Sequence, residues 1–177
     1  MSKELIKTIY DNFTEYFKSG DIIIGGSYFY DRIGVPIEKT FKDIDLIVDN
    51  SKDNILYELT SFFRNNPNYE LDEQTSFITN FDGKYLISCI LFKNNEHTPI
   101  DILRQDFSTN LSSLEIIPGV FTNYQTSEKL VEVYEDFIKG FRKSGKIDKI
   151  KKFVALRDFY KKNSTRELVQ NLNANIS

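Results

Sequence analysis

The tightest constraint on this chain is a pair of short apolar runs that both end in polar chemistry. Ile22-Ile23-Ile24 runs directly into Gly25-Gly26-Ser27, and fifteen residues then separate Ser27 from Asp43-Ile44-Asp45-Leu46-Ile47-Val48. Short β-branched runs bounded by turn residues predict buried strands. Side chains two apart on a strand share a face. Asp43 and Asp45 are therefore expected to project together, with Ile44, Leu46 and Val48 facing a core on the other side. Two carboxylates in contact repel by about 2–4 kcal/mol at an effective dielectric near 20, and a cation removes that cost. Glycines let a backbone approach a ligand closely. A helix opening at Ser27 would offer amides and a hydroxyl to an anion. The combination implies a site for a divalent cation and a polyphosphate.

A third acid follows in similar surroundings. Thr98-Pro99-Ile100-Asp101-Ile102-Leu103 reads as a strand with Asp101 alone among apolar neighbours. The order Gly25-Gly26-Ser27, Asp43-Ile44-Asp45, then Asp101 resembles the signature of the DNA polymerase beta-type nucleotidyltransferase superfamily, over about residues 20–105. The resemblance implies transfer of a nucleoside monophosphate from an NTP to an acceptor hydroxyl, with release of pyrophosphate and with Mg²⁺ or Mn²⁺ as cofactor. It assigns Asp43, Asp45 and Asp101 as metal ligands, the last also assisting deprotonation of the acceptor. It assigns Gly25, Gly26 and Ser27 to the phosphates. A lysine from a later helix completes the pattern, and Lys149 and Lys152, three apart on one helix, are the candidates. The spacer is slightly longer than the superfamily's usual one. Asp31-Arg32, ahead of Gly34, reverses the Arg-Asp order of the tRNA CCA-adding branch, and the chain is short of that branch's helical body. The superfamily is therefore carried over and the CCA-adding activity is not. The acceptor stays open between an RNA 3′ end such as that of a tRNA, a protein and a small molecule.

Charge bears on the acceptor. Residues 139–166 hold eleven Lys and Arg against Asp148 and Asp158, while the remainder has 12 basic against 24 acidic residues. Such asymmetry points a basic face at something anionic. Its bland counterpart is a solvated helix surface. Two rival classes fit the same features: a non-catalytic binding or antitoxin-like module on this fold, and an RNA-binding protein that uses the basic C-terminal helices with steep salt dependence. Asp106 is the fallback third acid. The single histidine, His97, reads as an exposed turn residue, which argues against zinc or triad chemistry. Cys89 is the only cysteine, so no intrachain disulfide forms and a reducing, cytoplasmic setting is expected. No apolar run suits a signal peptide or a membrane span, so no membrane partner is expected. The sequence leaves the oligomeric state open.

Periodicity predicts the frame. Ser2 to Lys18 reads as one amphipathic helix stopped by Gly20. Ser27 to Arg32 or Ile33 reads as a short helix ended by Gly34-Val35-Pro36. Asp53 is expected to cap a helix reaching Asn65. Tyr69–Leu71, Ser76–Phe81, Lys84–Phe92, Pro99–Arg104 and Leu114–Ile117 read as strands, with Asp82-Gly83 a hairpin turn and Asn94 to His97 another. Helices follow over Ser127–Gly140 and Ile147–Lys162, and Ser164 to Glu167 reads as a capping box. In the second of these, Ile150, Phe153, Val154 and Leu156 are expected to bury, with Lys149 and Lys152 on the opposite stripe. The expected fold is α+β: a mixed β-sheet flanked by helices, a nucleotidyltransferase-like palm, over 1–118, and a C-terminal helical subdomain over 119–177.

Overall fold

The computed structural model describes residues 2–39, 41, 43–49, 51–81, 85–94, 98–105 and 110–174, and only the backbone of 2, 71–81, 85–94 and 110–112. The expected turns at Asp82-Gly83 and around His97, the fallback acid Asp106 and the Cys89 side chain lie outside the described parts. The fold is α+β, with a mixed sheet and helices. Among the described residues no helix is long and apolar enough to cross a membrane.

The sheet has five strands in the order β1-β2-β5-β4-β3. Strand β1 (Ile22–Ile24) is antiparallel to β2 (Ile44–Asp49), and β2 is parallel to β5 (Pro99–Gln105). Beyond β5 come β4 (Tyr85–Asn94) and β3 (Tyr69–Phe81), both in antiparallel pairings. The two runs expected around Leu71 and Ser76 form one strand, β3, whose register shifts between Asp72 and Phe77. A bulge absorbs the extra residues without ending the strand.

Alternation sorts the two faces of the central strands. Ile44, Leu46 and Val48 of β2, with Ile100 and Ile102 of β5, are buried on one side. They join one core with Ile6, Ile9 and Phe17 from the N-terminal helices and Ile55, Leu59 and Phe63 from α4 (Asp53–Arg64). Each such side chain contributes about 1.5–3 kcal/mol by leaving water. Asp45 and Ile47, with Asp101, Leu103 and Gln105, look the other way into a cavity.

The helical surroundings differ from expectation in informative places. The N-terminal stretch is two helices, α1 (Ser2–Asn12) and α2 (Thr14–Ser19), broken at Phe13. The Thr14 hydroxyl donates to the Tyr10 carbonyl at 2.7 Å, a local bond that competes with the helix ladder. Lys52, not Asp53, is the N-cap of α4. Asp53 sits in the first turn and pairs with Arg104 of β5 at 2.6 Å. Helix α3 (Gly26–Ile33) starts one residue earlier than expected and ends at Gly34 with φ 79°.

A strand that periodicity reading passed over, β7 (Val120–Gln125), pairs antiparallel with β6 (Asn110–Ile117) in a second small sheet. Val120, Thr122 and Tyr124 alternate inward, and Pro118-Gly119 makes the turn, Gly119 at φ 80°. The 118/119 division therefore falls on the turn of this hairpin. The Thr122 hydroxyl accepts from the Ile24 N–H at 2.9 Å, tying β7 to β1. Three helices complete the chain: α5 (Ser127–Ser144), α6 (Ile147–Lys162) and α7 (Thr165–Ala174). Thr126 caps α5 through its side chain, which accepts from the Lys129 N–H. At the start of α7 the Ser164 hydroxyl accepts from the Glu167 N–H at 3.4 Å.

Candidate active site

The sheet register assembles the acidic end of the cavity. Because β2 and β5 run parallel with Asp45 opposite Asp101, both carboxylates leave the same face of neighbouring strands. Their side chains hydrogen-bond to one another. Two carboxylate oxygens bond only if one carries a proton, so this contact is a proton-sharing pair. Burial pushes both groups up. Asp101 rises to about 8, helped by the charge and hydrogen bond of Asp45 and the charge of Asp43, while Lys149 opposes. Asp45 is also raised, first by burial, with Asp43 adding to it and Asp101 and Lys152 opposing.

The Gly25-Gly26 turn is shaped around Asp45. The Gly25 N–H donates to the Asp45 carbonyl at 3.0 Å, which closes the end of β1 onto β2. Gly26 has φ 68°, a conformation that side-chain-bearing residues rarely adopt. A Cβ there would fall 1.9 Å from Asp45 Oδ2. The carboxylate thus lies directly on the backbone at the opening of α3, and only glycine leaves room. Gly25 serves as the N-cap of α3 with no side-chain hydrogen bond. The first amides of that helix are orphan donors at the positive end of its dipole.

The cations arrive from α6. Lys149 and Lys152 line the cavity and act electrostatically on Asp101 and Asp45 respectively. They do not occupy a stripe opposite the apolar one. Spacings of three and four put Lys149, Lys152 and Phe153 on one side of the helix, and all three line the cavity. Leu156 and Tyr160 are the fully buried residues of α6, whereas Ile150, Phe153 and Val154 are half-buried. Aromatic faces brace the ammonium groups: Lys149 Nζ lies 5.4 Å from the Phe141 ring centre and Lys152 Nζ 5.9 Å from that of Phe153.

All eight candidates, Gly25, Gly26, Ser27, Asp43, Asp45, Asp101, Lys149 and Lys152, line one cavity of about 340 Å³. Asp43 differs in one respect from expectation. It precedes β2 rather than lying in it and is exposed, so it stands at the rim beside the Asp45–Asp101 pair. Among the described residues no group of three or more His, Cys, Asp or Glu side chains stands as a ready-made metal cage.

Sequence reasoning missed the rest of the lining. Tyr30 of α3 and Tyr134 of α5 share a 2.9 Å hydroxyl contact, and burial pushes both phenols up, with Asp45 contributing to each. Outside the lining, Tyr160 stacks on Tyr134 at 5.9 Å between ring centres. Gln105 and Gln125 close the far end. The helical spacing of Leu130, Val133, Tyr134 and Phe137 announced an apolar face, without indicating that a cavity lies beneath it. The chain matches no protein-family model, no curated protein and no solved structure.

Proposed function

We propose that this chain is a metal-dependent nucleotidyltransferase that moves a nucleoside monophosphate from an NTP to an acceptor hydroxyl and releases pyrophosphate. The observation that carries the reading is the Asp45–Asp101 carboxylate pair, seated on the Gly25-Gly26 turn and faced by Lys149 and Lys152 in one cavity. The donor set fits a hard divalent cation. Two touching carboxylates that share a proton because they repel when both ionise would release it to such an ion. Asp45 and Asp101 would hold Mg²⁺ or Mn²⁺, with Asp43 completing the set from the rim. When bound, the metal supplies charge neutralisation on the phosphates and acidifies the acceptor hydroxyl.

The chain's own residues have separate tasks. Amides at the start of α3 and the Ser27 hydroxyl donate to phosphate oxygens. Lys149 and Lys152 offset the negative charge that builds on the leaving pyrophosphate. The acceptor oxygen bonds to the α-phosphorus, the bond from the α-phosphorus to the α–β bridging oxygen breaks, and Asp101 would take the acceptor's proton. Exposed Arg142, Lys143 and Lys146 lie near the α5–α6 turn and give an anionic acceptor such as RNA a surface to meet. The test is incubation with each α-labelled NTP, Mg²⁺ and a cell extract, followed by identification of the labelled fraction. Label retained in RNA, protein or a small molecule names the acceptor. No labelled product with any NTP refutes the reading.

A further inference from the structure

The cavity has two polar ends. Asp101, Leu103 and Gln105 lie on the same face of β5, and four residues of strand separate the first from the last by about 13 Å. Helix α5 runs above in the opposite sense, from Leu130 near the glutamine end to Phe141 beside Lys149. Between the ends the walls are apolar: Ile47 and Leu103 below, Val133 and Phe137 above.

The far end is built from two buried amides. Gln105 and Gln125 are each 3% exposed, and both line the cavity. Gln125 Nε2 donates to Gln105 Oε1 at 3.2 Å. That bond takes one N–H of Gln125 and one lone pair of Gln105. The Gln105 amino group and the Gln125 carbonyl oxygen have no part in it, which leaves the pair one donor and one acceptor for a ligand. The Gln125 backbone is anchored independently, its carbonyl accepting from the Thr165 hydroxyl at 2.9 Å.

We propose that Gln105 and Gln125 are the specificity-determining residues for the nucleobase of the bound NTP. The inference rests on the nucleotidyltransferase reading and adds to it a base-reading pocket at the opposite end of the cavity. With phosphates at the Asp45–Asp101 end, the span of about 13 Å between Asp101 and Gln105 accommodates phosphate, sugar and base laid end to end. The apolar walls receive the faces of the ring, and the amide pair meets its Watson–Crick edge, as in other pockets that hold a single extruded base. Adenine and cytosine present an amino donor beside a ring-nitrogen acceptor. Guanine and uracil present the reverse, a keto acceptor beside a ring N–H donor. In the orientation that the structure shows, with Gln125 donating to Gln105, the pair offers a single order of donor and acceptor. It therefore accepts one of these two classes and leaves its own buried groups unpaired with the other.

Calorimetry with ATP, CTP, GTP, UTP and inorganic tripolyphosphate, all with Mg²⁺, tests this on the full chain. In the wild type, one class, ATP with CTP or GTP with UTP, binds at least tenfold tighter than the other. Gln105→Met and Gln125→Met, close in volume and free of the amide, reduce that preference to less than threefold and leave tripolyphosphate affinity unchanged. Gln105→Asn, which withdraws the amide by one methylene, carries the test if a methionine variant does not fold. A wild type that binds all four NTPs equally, or variants that keep the wild-type ranking, overturn the inference while leaving the phosphate site standing. Failure of tripolyphosphate and every NTP to bind the wild type refutes nucleotidyl transfer itself, and the inference with it.

Discussion

Replacing Asp101 by asparagine should make the metal-free protein more stable, although it removes a proposed ligand. In the fold Asp101 is pushed up to about 8 from an ordinary value of 3.8, mainly by burial and by Asp45. The unfolded chain releases this proton near pH 4, whereas the folded chain keeps it until near pH 8. A raised carboxyl stabilises the fold fully below the unfolded value, and that contribution drains away as pH rises through the folded one. Between 3.8 and pH 7, at about 1.4 kcal/mol per pH unit, the loss reaches about 4 kcal/mol at most. The carboxamide introduced by Asp101→Asn would donate to Asp45 permanently, with no proton to lose. A gain of about 2–4 kcal/mol is expected at pH 7, or roughly 5–10 °C in Tm for a chain of this size. Thermal melts in EDTA from pH 5 to 8.5 measure it. Wild-type Tm should fall across that range, and the gap to Asp101→Asn should widen with pH. Added Mg²⁺ should raise the wild-type Tm at pH 7.5 and leave the variant nearly unmoved. A variant that melts at or below wild type at pH 7.5, or a wild-type Tm flat in pH, would refute the account of the carboxylate pair.

Three further outcomes follow from the geometry. Gly26→Ala forces a Cβ to 1.9 Å from Asp45 Oδ2 at φ 68°, so activity should vanish and stability fall by about 1–3 kcal/mol, read by denaturant unfolding. Lys149→Ala with Lys152→Ala should weaken Mg²⁺–NTP binding several-fold in calorimetry, with little change in Tm, because both lysines are exposed side chains at the cavity mouth. Thr122→Val removes the acceptor for the buried Ile24 N–H and should cost about 1–3 kcal/mol in denaturant unfolding.

The acidic end of the site was legible because its logic is local. A two-residue period, a Gly-Gly break and a lone acid in an apolar run need no tertiary knowledge. Only the parallel register of β2 and β5 shows that Asp45 and Asp101 touch while Asp43 stands at the rim. Strand β7 escaped notice because Val120-Phe121-Thr122-Asn123-Tyr124-Gln125 buries Thr and Gln along with Val and Tyr, which blurs the apolar alternation. The faces of α6 were misread for a related reason. The helix fully buries only Leu156 and Tyr160, so its apolar residues do not mark a single stripe, and Lys149 and Lys152 share their side with Phe153. The glutamine pair had no sequence signal. Two amides twenty residues apart gain meaning only when β5 and β7 bring them within 3.2 Å.

The proposed metal-dependent nucleotidyl transfer rests on Asp45 and Asp101 together. Its most direct test is Mg²⁺-dependent release of pyrophosphate from the NTPs by wild type, Asp45→Asn and Asp101→Asn in the presence of the labelled acceptor. Release by the wild type that EDTA abolishes is expected, with a loss of about 100-fold or more in each variant and both variants folded by circular dichroism. Pyrophosphate release that persists in either folded variant at near wild-type rate would contradict it.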